Sequence, residues 1–135
     1  MNQRGFATLE VILMVVIIGI LATVAVPRFT DVTTKANTAK IQSDLTTIDT
    51  AIQMYEMDNG KYPESTDVKV LTEAGYLMET PKPPTGKAYI NGTPADIGAE
   101  NYLIDTTNGR GTLNSNTVGK YTLTATTTTT PTTGE

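Results

Sequence analysis

Glu10 is the residue whose chemistry most needs explaining. It stands four positions after Phe6 in the segment Arg4-Gly5-Phe6-Ala7-Thr8-Leu9-Glu10, and an apolar run without a charged side chain follows it from Val11 to Pro27. A carboxylate at the mouth of a membrane-length segment is costly unless a cation or hydrogen-bond donor meets it. The chemistry on offer is therefore ionic pairing at a helix end, and the elements around Glu10 must say with what.

The rest of the inventory removes most alternatives. The chain of 135 residues contains no Cys and no His, which excludes thiol nucleophiles, disulfides, thiolate or imidazole metal sites and a histidine base. No nucleophile and base pair can be assembled from what remains, so the sequence reads as a structural protein and not an enzyme. The formal charge is −4, from 10 basic and 14 acidic residues. The basic residues are scattered, so no direct nucleic-acid binding is indicated.

Periodicity supplies the scaffold. As a helix, Phe6 to Pro27 would be about 33 Å long, close to a bilayer core of about 30 Å. The helical pattern continues beyond it. Phe29, Val32, Ala36 and Ala39, then Ile41, Leu45, Ile48, Ile52 and Tyr55, recur at three- and four-residue steps and predict an amphipathic second half. Asn59-Gly60 should end the helix near Met57, giving a length of about 78 Å. Gly19 and Pro27 are its weak points, Pro27 because it lacks an N–H.

Further along, a short helix is expected over roughly Ser65 to Ala74, capped by Ser65 or Thr66 and stopped by Gly75. Pro81, Pro83 and Pro84 enforce an extended connection. Lys87–Asn91, Asn101–Asp105 and Val118–Ala125 read as strands, with Asn91-Gly92 and Asn108-Gly109 as turn signals. The expected fold class is α+β: a long N-terminal helix packed on a small antiparallel sheet. From 126 to 135 the chain is nearly all Thr, Pro and Gly, and disorder is expected there. The Thr-rich tail could also carry glycans.

Gly5-Phe6-Ala7-Thr8-Leu9-Glu10, the apolar helix and Pro27 together resemble the prepilin-type N-terminal motif of type IV pilins and type II secretion pseudopilins. Asp58-Asn59-Gly60-Lys61-Tyr62-Pro63, Leu71, Gly75-Tyr76-Leu77 and Pro81 extend the resemblance to major pseudopilins and competence pilins, so that it covers roughly residues 1–90. Ala7-Thr8-Leu9 departs from the usual order while keeping the spacing to Glu10. The missing cysteines are a second departure, since many Gram-negative pilins close a C-terminal loop with a disulfide.

The resemblance implies a pilin fold with a leader of residues 1–5 cleaved by a prepilin peptidase between Gly5 and Phe6, and N-methylation of Phe6. It further implies a transmembrane and filament-core helix over 6–27, and a globular head over 28–125 that includes the amphipathic helix half, 28–57. Cleavage removes Arg4 and gives Phe6 an α-amino group. The amine of an incoming subunit could then meet Glu10 of its neighbour, setting axial register in a helical filament. A helix break between Gly19 and Pro27 is expected in the fibre.

The leading functional expectation is the major-type subunit of a type IV pilus. The alternatives are the major pseudopilin of a type II secretion system or a competence (DNA-uptake) pilus subunit. Implied partners are further copies of the chain, the membrane, the peptidase, an assembly platform protein with its ATPase, and minor pilins. The chain would begin as a single-pass protein of the cytoplasmic membrane and end in an extracellular pilus or periplasmic pseudopilus.

Two plainer readings stand beside this one. Val11–Leu21 could be the core of an ordinary secretory signal cut after Thr23-Val24-Ala25, or the run could be a simple uncleaved anchor. The three differ in the N-terminus they predict: Phe6, Val26 or Met1. No cofactor is expected apart from calcium, which major pseudopilins are known to bind in a C-terminal loop. The candidates here are Asp96, Asp105 and Asn108, with Glu100 beside them, although no EF-hand spacing is present. Tyr55, Tyr62, Tyr76, Tyr89, Tyr102 and Tyr121 are expected in core and rim packing.

Overall fold

The structure, a computed structural model, describes residues 3–124, and for residues 26–29 the backbone only. The tail expected to be disordered over 126–135 lies outside the described residues. The chain divides into two compact units, Met1–Thr33 and Thr34–Glu135. Helix α1 spans Gln3–Asn59 and α2 spans Lys69–Glu73. Four strands follow: β1 (Lys87–Ile90), β2 (Thr93–Asp96), β3 (Leu103–Asp105) and β4 (Arg110–Thr112), then a 3-10 turn at Val118–Lys120. This is the expected α+β arrangement, with the sheet divided into two antiparallel hairpins, β1–β2 and β3–β4.

Within the second unit, α1 buries Ile41, Leu45, Ile48 and Ile52 completely. Their alternating steps of four and three residues keep them on one face. The expected stripe through Val32, Ala36 and Ala39 is not part of that face: Val32 is 64% exposed, and Ala36 and Ala39 are also exposed. Thr34 and Thr38 are buried instead. The reason lies in β1. Thr38 Oγ1 donates to the Thr34 carbonyl (2.7 Å) and accepts from Tyr89 N–H (2.8 Å), while Asn37 Nδ2 donates to the carbonyls of Thr85 and Lys87, both at 2.9 Å. A strand edge lying on a helix needs polar partners, and these side chains supply them.

Helix ends follow the glycines. Gly60, at φ 72°, donates its N–H to the Glu56 carbonyl (2.7 Å), the single-bond left-handed stop. After α2, Gly75 (φ 84°) bonds Thr72 O and Tyr76 N–H bonds Leu71 O, the paired arrangement of a Schellman stop. The start of α2 falls later than expected, at Lys69. Ser65 Oγ accepts from Asp67 N–H and Asp67 Oδ1 from Lys69 N–H, so side chains hold a turn where the helix was expected to begin.

Asn91 and Gly92 both have positive φ, 49° and 77°, as a two-residue type I′ hairpin turn requires. Two strands carried too little apolar alternation to be recognised: β2 reads Thr-Pro-Ala-Asp and β4 Arg-Gly-Thr. The strand expected over Val118–Ala125 is not observed in its described part, which begins as the 3-10 turn. Tyr121 is buried there, its OH on the Leu113 carbonyl (2.8 Å), and the Lys120 and Thr122 carbonyls accept Asn91 N–H and Gly92 N–H. This segment closes the β1–β2 turn by single bonds and forms no ladder.

A buried carboxylate fastens the second hairpin to α1. Asp49, 7% exposed, accepts Gly111 N–H at 2.6 Å and faces Arg110 Nε at 3.0 Å. Gly111 must be glycine, because a Cβ there would stand 2.8 Å from Ile48 Cγ2. Nearby, Asp44 accepts from Lys40 Nζ (2.5 Å) and Tyr102 OH (2.7 Å), and Lys40 also reaches the Lys82 carbonyl of the proline-rich connection. Burial first, then the bond to Asp44, raises the pKa of Tyr102 well above the usual tyrosine range. Tyr121 is raised in the same direction by its burial.

Two predictions follow from this packing. Gly111→Ala should destabilise the head by about 1–3 kcal/mol through overpacking, read as a lower thermal midpoint. Because Tyr102 keeps its proton when folded, the unfolded chain releases protons first. Its stabilising contribution is complete below pH about 10 and is lost as pH rises above that value, by about 1.4 kcal/mol per pH unit. Denaturant titrations of wild type and Tyr102→Phe at pH 9–11.5 should show a shallower decline in the variant.

Candidate assembly site

In the first unit, the residues singled out by sequence lie in and just after the opening turns of α1. Gly5 and Phe6 are within the helix, and Phe6 is 76% exposed. Thr8 Oγ1 donates to the Arg4 carbonyl at 2.8 Å, spanning the Gly5–Phe6 bond. Glu10 is exposed and lies one turn after Phe6, at the boundary with the apolar run. From Val11 to Val24 the large apolar side chains are each 49–65% exposed, and an 18-residue window of mean hydropathy 2.8 has none of its residues buried. Length and composition suffice to cross a membrane.

The helical assignment continues through Gly19 and Pro27 in this single subunit. A Cβ at Gly19 would meet nothing within 4 Å, so that glycine is not required by packing within the subunit. Pro27 offers no N–H to the Thr23 carbonyl, and Thr23 Oγ1 is turned to the Ile20 carbonyl (2.7 Å). The break expected between these two residues concerns the assembled fibre, a different state from this one.

The calcium candidates come from both hairpins. Asp105 ends β3 and Asn108 lies in the β3–β4 loop, where Asp105 accepts from Asn108 Nδ2 (2.7 Å) and from the N–H groups of Thr107 and Asn108. Those bonds, the Asn108 side chain first, hold the Asp105 carboxyl below its ordinary pKa. Asp96 ends β2 in the other hairpin, opposite Lys87. Among the described residues no group of three or more acidic side chains is placed to hold a metal ion.

Sequence reasoning missed the residues that attach the head to α1: Asn37, Thr38, Asp44 and Asp49. Asp49 carried a signal, since a carboxylate beside Ile48 on the core side of an amphipathic helix calls for a buried donor. Asn37 and Thr38 carried none, because hydrogen bonds to loop carbonyls have no sequence period.

The family described as "Type II secretion system (T2SS), protein G" matches residues 28–124. The type II secretion system core protein G of Escherichia coli (strain K12) is 34% identical over 116 residues, covering 76% of this chain and 80% of that protein. Its namesake in Vibrio cholerae is 34% identical over 110 residues, covering 72% and 75%. That of Klebsiella pneumoniae is 32% identical over 111 residues, covering 72% and 79%. No solved structure matches the chain. With an unburied apolar helix half at one end and a compact head matched over most of its length, the chain belongs to the type II secretion system protein G family, the major pseudopilins.

Proposed function

We propose that the chain is the major subunit of a type II secretion pseudopilus, anchored in the inner membrane and polymerised toward the periplasm. The observation that carries this reading is the unburied apolar half of α1 opening on Glu10, in a chain whose relatives are named for type II secretion. The type IV pilus reading and its extracellular location give way to this one, because the matched family is that of secretion and not of surface pili.

In this reading the peptidase cuts between Gly5 and Phe6, Phe6 is methylated, and the new α-amine becomes a cation one turn from Glu10. Removing Arg4 takes the formal side-chain charge from −4 to −5. An unpaired carboxylate held in an apolar array costs several kcal/mol, and a paired one much less. Glu10 therefore favours the register in which a neighbour's amine meets it. Packing of the segment from Val11 to Val26 between copies supplies cohesion without direction, and Glu10 supplies direction. Assembly with an inner-membrane platform, its ATPase and minor pseudopilins belongs to the same proposal.

Glu10→Ala should leave the subunit membrane-bound and its head folded, while lowering pseudopilus formation and exoprotein release by at least about tenfold, equivalent to about 1.4 kcal/mol. Wild-type secretion by the variant contradicts the register role. Deleting the gene should abolish exoprotein release and leave surface fibres, twitching and transformation intact. Loss of surface fibres with secretion intact would restore the pilus reading.

A further inference from the structure

The segment that follows β4 has to be tied back onto the head, and neither a disulfide nor a cation suits its residues. The chain has no Cys, and from Thr106 to Gly134 it has no acidic residue, Arg110 and Lys120 being the only charged side chains. Calcium, the ion that the family resemblance implies, takes about six to eight oxygen ligands with carboxylates foremost among them. Of the acidic candidates outside this stretch, Asp96 lies opposite Lys87 across the β1–β2 hairpin. Asp105 has both carboxylate oxygens engaged by donors of its own loop: Oδ1 by the N–H groups of Thr107 (3.0 Å) and Asn108 (3.2 Å), Oδ2 by Asn108 Nδ2 (2.7 Å). Donors aimed at those oxygens stand where a cation would have to approach.

Backbone oxygens near the segment are engaged as well. The Leu113 carbonyl accepts Asn116 N–H (2.9 Å) and Tyr121 OH (2.8 Å), and the Asn114 carbonyl accepts Asn116 Nδ2 (3.1 Å). The Ile97 carbonyl accepts Ala99 N–H (2.6 Å), around Gly98 at φ 56°, and also Asn114 Nδ2. The donor set therefore does not fit calcium: its carboxylates are few and already bonded, and its carbonyls face N–H and O–H groups.

The same bonds show what holds the segment. Leu113 and Asn116 exchange both backbone hydrogen bonds around Asn114 (φ 50°) and Ser115 (φ 62°), a two-residue turn with both central residues left-handed. Asn tolerates that conformation, but Ser adopts it at a cost and needs support from its surroundings. Asn114 supplies the support, because its amide reaches the Ile97 carbonyl just after β2. Leu113, Ile97 and Tyr121 are all buried, so this cross-link lies against the core. We infer that the head folds and stays folded without calcium, and that the Asn114 amide, backed by Asn116 and Tyr121, is the brace joining the segment after β4 to the segment after β2. A head braced in this way keeps its shape whatever the calcium level around it, and nothing in the assignment depends on the type of filament.

The test uses the full-length chain in detergent at neutral pH. Its melting midpoint should agree within about 1 °C between excess EDTA and about 10 mM calcium, whereas a cation at about ten times its dissociation constant would raise the midpoint by several degrees. Asn114→Ala should lower the midpoint by about 4–8 °C in either medium, through loss of the bond to Ile97. In EDTA, Asn114→Asp should fall by at least as much, since an ionised carboxylate keeps the size of the amide and cannot donate. A wild-type midpoint that drops on chelation overturns calcium independence, and a midpoint at the wild-type level for either variant overturns the brace. The first comparison uses the unchanged chain, so it decides the calcium question even if neither variant folds.

Discussion

One helix has to satisfy two environments, and that constraint organises the molecule. The first half of α1 exposes continuous apolar surface with a carboxylate at its mouth. A surface of that extent is stable only in a lipid bilayer or among other helices like it. The second half keeps one face for the head and turns the other outward. Among the described residues nothing covers the apolar half, which is the property that the proposed passage from membrane to pseudopilus would use.

The head is fastened to α1 by polar groups as much as by its core. Ile41, Leu45, Ile48 and Ile52 supply the apolar contact, which is strong and non-directional. Registration comes from elsewhere. Asn37 and Thr38 hold the start of β1, Asp44 joins Tyr102 to Lys40, and Asp49 holds Gly111 against Ile48. Each is a buried or half-buried group with its hydrogen bonds made, and breaking any one strands a donor or acceptor. In the proposed function, a head that passes from membrane to filament without unfolding is well served by such fixed points.

Much of this was legible in the residues. The membrane-length run, the long amphipathic continuation, the stops at Gly60 and Gly75 and the Asn91-Gly92 turn have short-range physical causes that sequence displays directly. What was hidden depends on long-range partners. The core face starts at Thr34 and Thr38, not at Val32 and Ala36, because β1 needs polar company there. Val118–Lys120 is a 3-10 turn, although Val, Tyr, Leu and Thr populate the segment, because Tyr121 is drawn into the core. In the candidate assembly site the resemblance to the prepilin-type motif singled out Gly5, Phe6 and Glu10, and the structure places them within and just after the first turns of α1. The filament type was not legible there, since the same resemblance extends to pilins and pseudopilins alike.

The account stands on processing at Gly5, because only then does Glu10 acquire a cation of the kind that assembly can use. Mass spectrometry of the N-terminal peptide, taken from protein made beside its own secretion machinery, tests this most directly. The account predicts a chain beginning at Phe6 with its α-amine methylated. A chain beginning at Val26, or one retaining Met1, would contradict it.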